Sequence, residues 1–348
     1  MFMARLLTLF SLFLLVSGCD RSSPQYILHE YSARISQVLD QPKVDLPHDA
    51  PVVPSLKARQ FVLPDIRLSF LQGLDLLKCP VLSQEVGFRN SSLGKQLQPS
   101  QQLDYEKKLI NALGQCITSL SKEGNAAATV QTLEKILSKK RQLLPEIRWN
   151  ALFAGPELVK QLQGNGLPLP MQGDNGYQGT VEALNYLMGY LPDRTVQPPY
   201  QREQLETYLQ HLHASRYSGQ LITAAVMLTN TFNHVSDLLE AEKDICAHGR
   251  VTARARRLQN VFNLFYVAQL QPYLVKTVRE GNDWRLAFQG VMKVLPEPPS
   301  EAMRIYMQNI LGEGEGSLWH ALNQSILRHS LAWQGVFKQC ALLPDVNK

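Results

Sequence analysis

The chain has 348 residues, 45% of them hydrophobic and 19% charged, with 21 Gly, 20 Pro and a formal charge of +5. Those figures exclude a disordered, collagenous or disulfide-dense chain. The charge also falls short of the dense basic stripe that marks a nucleic-acid partner, and none is expected.

The N-terminus reads as an address. Met1 to Arg5 form a short basic start, Leu6–Val16 an apolar stretch of eleven residues, and Ser17-Gly18-Cys19 a small-residue cleavage site. This is the layout of a signal peptide over 1–18, and it is too short to span a bilayer, which takes about 20 residues. Val16-Ser17-Gly18-Cys19 resembles the lipobox of bacterial lipoproteins. The resemblance implies cleavage before Cys19, acylation of that Cys, and a chain held on the membrane by lipid and facing the periplasm. The alternative is an ordinary cleaved signal with a coincidental Cys. Asp20 resembles the retention signal of enteric lipoproteins, which favours the inner membrane over the outer.

The first helix is expected over 26–39, where Ile27, Tyr31, Ile35 and Val38 share a stripe. Five prolines between Pro42 and Pro64 predict an extended arm that completes the segment 19–64. A helix over 65–79 stopped by Pro80, a polar connection over 80–99, and helices over 100–121 and 125–144 make a first helical lobe, 65–163. Gly and Pro crowd 164–180, a short helix follows to Tyr190, and Pro192–Pro199 form another break, so 164–200 is a connection. The rest, 201–348, is a second lobe with helices near 201–216, 219–247, 252–270, 272–281, 283–295, 299–311 and 316–340. Hairpin signals, alternating strands and fixed-period repeats are missing. The expectation is an all-α fold, an elaborated helical bundle or two helical lobes.

Apart from Cys19, four cysteines remain, an even count that reads as two disulfides in an oxidising compartment. Sequence order favours Cys79–Cys116 and Cys246–Cys340. Cys116, Cys246 and Cys340 each continue an apolar helical stripe, where packed helices can be bridged. Zinc needs close C-x-x-C pairs, which are missing.

Nucleotide-loop, nucleophile-elbow and H-E-x-x-H motifs do not occur. His211 and His213 would point about 200° apart on a helix and could not grip one metal. Arg250, Arg254 and Arg257 share a helix face that could meet anionic headgroups or simply be solvated. No cofactor, metal or catalytic residue is expected. The unusual segment is Arg89-Asn90-Ser91-Ser92-Leu93-Gly94 with Tyr105-Glu106, inside the Cys79–Cys116 interval. Arg89 offers a fork for a carboxylate or phosphate, the Asn and Ser side chains offer short hydrogen-bonding arms, and Glu106 could pair with Arg89. Trp149-Asn150 is a second polar-aromatic candidate. Both clusters could instead cap helices and satisfy buried backbone.

These residues, together with Trp149-Asn150-Ala151-Leu152-Phe153-Ala154-Gly155-Pro156-Glu157 and the Trp333–Cys340 ending, resemble a family of uncharacterised gamma-proteobacterial lipoproteins defined only as a domain of unknown function. The resemblance supports the disulfides and carries no activity. The sequence expectation is a non-catalytic binding or adaptor protein of the envelope, meeting the membrane through its lipid and an envelope protein as partner. The alternative is an envelope enzyme or small-ligand carrier acting on lipid, glycan or peptide in a cleft near Arg89.

Overall fold

The computed structural model describes residues 22–64, 66, 78–123, 126–164, 166–173, 175–192, 202–246 and 249–342. The expected signal peptide, Cys19, Asp20, most of the 65–79 helix, the Asn125 cap and the Pro192–Pro199 break beyond Pro192 lie outside them. The fold is all-α: among the described residues every regular element is helical.

The elements are α1 (Pro24–Val38), α2 (Leu56–Arg59), α3 (Pro80–Asn90), α4 (Pro99–Glu123), α5 (Ala127–Phe153), α6 (Pro156–Leu162), α7 (Tyr177–Tyr190), α8 (Arg202–Ala214), α9 (Tyr217–Ala241), α10 (Ala253–Val261), α11 (Gln271–Met292), α12 (Glu301–Leu311) and α13 (Leu318–Gln339). A π-helical segment, Phe262–Leu270, joins α10 to α11. Cap chemistry sets several starts. The hydroxyls of Ser23, Thr252, Ser300 and Ser317 each accept from a backbone N–H three residues on.

Helix α9 is buried along most of its circumference and packs on α1, α6, α11 and α13. That is the behaviour of a helix apolar all round. α4 and α5 form a hairpin. One connected apolar core runs from Ile27 in α1 to Cys340 after α13. Both expected disulfides are present, Cys79–Cys116 and Cys246–Cys340.

Three prolines correct the expected boundaries. Pro80 opens α3, because the first helical position needs no N–H. The expected polar connection 80–99 is therefore mostly helix. Pro145 lies inside α5, which continues to Phe153. The lost backbone bond is outweighed by buried side chains on both sides, Leu144, Ile147, Trp149 and Phe153 among them. Pro272 stands at the start of α11, and 253–292 is one continuous rod where three helices were expected. The π segment ends just before it, where Gln271 N–H bonds to Tyr266 O. α6 was not expected, and the arm contains the single turn α2.

Deep in the core, Trp333 Nε1 donates to the Tyr31 hydroxyl (2.8 Å), which lies 2.8 Å from His329 Nε2. With Tyr31 accepting from Trp333 and donating to His329, the imidazole is neutral with its proton on Nδ1. That Nδ1 is buried and has no partner among the described residues. Phe232 stacks on the ring at 4.5 Å. Burial holds the His329 pKa down at about 3.

Candidate functional site

The disulfide Cys79–Cys116 fastens the start of α3 to the C-terminal third of α4. Between these helices, α5 and the end of the arm lies a cleft of about 680 Å³. Arg89, Asn90, Tyr105 and Glu106 all line it, joined by Lys95 and Lys140. Its apolar wall includes Leu63, Ile66, Leu109, Leu113 and Ile136. Local structure explains the placement. Arg89 and Asn90 sit in the last turn of α3, and Tyr105 and Glu106 are on the inner face of α4.

The expected Arg89–Glu106 pair does not form. Glu106 Oε1 instead accepts from Lys140 Nζ at 2.7 Å, with the two side chains only 4% and 12% exposed. Lys140 approaches because the α4–α5 hairpin folds back on itself, a tertiary event that local spacing does not reveal. The second Glu106 oxygen is buried without a partner among the described residues. Arg89 donates to the Gly94 carbonyl and lies 6.0 Å from the centre of the Tyr105 ring. Burial, reinforced by the Glu106 charge, raises the Tyr105 pKa, so its phenol stays protonated near neutrality.

The loop after α3 is wound tightly. Ser91 Oγ donates to Phe88 O (2.7 Å) and accepts from Gly94 N (3.1 Å). A Cβ on Gly94 would stand 2.1 Å from Phe88 O, so only glycine fits there without moving backbone. Ser91 and Ser92 are exposed and do not line the cleft.

Trp149 and Asn150 lie elsewhere, under the arm. Trp149 is fully buried and donates to Arg59 O at 2.8 Å. Asn150 accepts from Phe61 N and donates to Phe61 O, both at 2.8 Å. Arg59 in turn donates to Phe153 O (2.7 Å) and Pro54 O (2.9 Å). These contacts clamp the arm at 59–61 and so seat Leu63 and Ile66 as a wall of the cleft.

Sequence reasoning missed Lys140, Lys95, Gln102 and the arm residues. A basic residue on the facing turn of a predicted hairpin was the only available signal for Lys140. The Arg250–Arg257 stretch behaves as a structural face in part: Arg254 bonds Asp40 (2.7 Å) and Val38 O (3.1 Å), pinning the end of α1. Among the described residues no cluster of His, Cys, Asp and Glu could hold a metal, and no helix is long and apolar enough to cross a membrane.

The family model described as "Protein of unknown function (DUF3080)" matches residues 28–344. The chain belongs to that family. The match runs from within α1 past the end of α13, so the cleft, the arm clamp and both disulfides all lie within the family domain. Comparison with curated proteins and with solved structures finds no match.

Proposed function

We propose that the chain is a lipid-anchored protein of the bacterial envelope, facing the periplasm, that acts by binding a ligand in the Arg89 cleft. The address rests on the lipobox-like Val16–Cys19 and on an even set of paired cysteines, which suits an oxidising compartment. Asp20 favours the inner membrane.

One observation carries the choice of site: residues 89, 90, 105 and 106 line a single cleft. That is what a ligand carrier requires and a plain adaptor surface does not. Arg89 and Lys95 suit an anionic group, and the apolar wall suits a chain or ring attached to it. Glu106 is held by Lys140 and the Tyr105 phenol stays protonated, so these groups recognise better than they move protons.

Native mass spectrometry of lipidated protein purified from cells tests the reading, comparing wild type with Arg89→Ala and Lys95→Ala. The expected result is a bound small molecule or peptide in wild type that is lost from both variants while folding persists. An empty cleft, with a cross-linked envelope protein retained by both variants, would return the protein to the adaptor reading.

A further inference from the structure

A second groove, of about 950 Å³, lies on a different part of the molecule, where the described chain begins. It is lined by Ser22 and Ser23, by Leu167 and Met171, and by Ala268 and Pro272 of the 253–292 rod, with Ile27 and Tyr273 buried at its base. The π segment beside it turns large apolar side chains into solvent: Leu264 is 62% and Val267 41% exposed, and Leu167 across the groove is 52% exposed. Leu264 stands one turn before the lining residue Ala268 and Val267 next to it, so both border the groove, and exposed apolar residues grouped in this way mark a contact surface.

Resting on the lipid anchorage proposed above, we infer that this face lies against the bilayer surface, with Leu167, Leu264 and Val267 at the boundary between headgroups and acyl chains. The anchor decides the occupant. Only two residues separate Cys19 from Ser22, so the acylated Cys stands at most about 10 Å from the groove rim. Acyl chains inserted in the membrane therefore bring this face to it and no distant one. Cys19 supplies the affinity, and the apolar side chains fix orientation, each adding a small burial of its own. The Arg89 cleft is lined by a different set of residues, from α3, α4, α5 and the arm, and shares none with this groove.

The test uses full-length lipidated protein in vesicles of phosphatidylethanolamine and phosphatidylglycerol. An environment-sensitive dye is placed singly at Leu167→Cys, Leu264→Cys or Val267→Cys, with exposed Val81→Cys in α3 as control. Blue-shifted emission and quenching by spin-labelled lipid at the three positions, and neither at Val81, are expected. Adding Leu264→Glu and Val267→Glu should cut the quenching at Leu167→Cys at least several-fold. The mass of the N-terminal peptide is read from the same sample. An acylated Cys19 with solvent-like emission at all positions overturns the docked face alone. An unmodified N-terminus overturns the anchorage and the face with it.

Discussion

Asn150 holds both backbone groups of Phe61, 89 residues away in the chain: its side-chain amide accepts from the Phe61 N–H and donates to its carbonyl, each at 2.8 Å. The side chain thus does for one residue of the arm what a neighbouring strand would do. Asn150→Ala leaves a partly buried N–H and C=O unpaired and should lower stability by about 2–4 kcal/mol. Asn150→Asp keeps the acceptor but sets a lone pair against the Phe61 carbonyl, so it should not rescue. Urea denaturation measures the loss, and faster tryptic cutting after Lys57 or Arg59 would locate it in the arm.

Glu106 and Lys140 face each other inside the cleft at 2.7 Å, almost shielded from water. Lys140→Met strands a buried carboxylate and should cost about 3–5 kcal/mol, whereas adding Glu106→Gln should recover most of that. A double-mutant cycle from denaturation midpoints gives the coupling. A sum of single effects equal to the double effect would show that the pair is not coupled.

His329 makes stability depend on pH. Burial lowers its folded pKa to about 3, against an ordinary value near 6.5, so the unfolded chain binds the extra proton first. Its contribution is complete above about pH 6.5 and declines as pH falls toward 3, by up to about 1.4 kcal/mol per unit. Burial also lowers the His234 pKa, which acts in the same direction. The His329→Gln variant, which cannot titrate there, should show a shallower decline between pH 6 and 4 in denaturation curves at fixed ionic strength. An unchanged slope would exclude His329 as the source.

The two disulfides should differ in weight. The loops they close span 37 and 94 residues, for which chain entropy gives roughly 4 and 5 kcal/mol as upper figures. Replacing Cys246 and Cys340 by Ser should therefore lower the urea midpoint more than replacing Cys79 and Cys116. The Cys79/Cys116 replacement, although milder globally, frees the start of α3 and should reduce ligand retention in the Arg89 cleft.

Helical class, both cysteine pairings and the grouping of Arg89, Asn90, Tyr105 and Glu106 were legible in the sequence. Each is carried by a local signal: a 3.6-residue apolar period, the position of Cys on that period, and closeness along the chain. What failed turned on prolines and partners. Pro80, Pro145 and Pro272 have the same local chemistry, yet one opens a helix, one is carried inside a helix and one follows a π segment. The first of these was legible from the tolerance of position N1, but the other two depend on how much core the flanking residues bury.

Trp149 and Asn150 show the same division. Their types announced a polar-aromatic feature, but whether it would face a ligand or a backbone depended on where the arm came to rest. The partner of Glu106 was likewise decided by the closing of the α4–α5 hairpin, which brings Lys140 across 34 positions of sequence. Helix preference, the apolar face of each helix and the cysteines able to meet were written in local order along the chain. Which buried polar groups satisfy one another emerged from the packed helices alone, because that choice is made at long range, where an unpaired group costs more than local preference can offset.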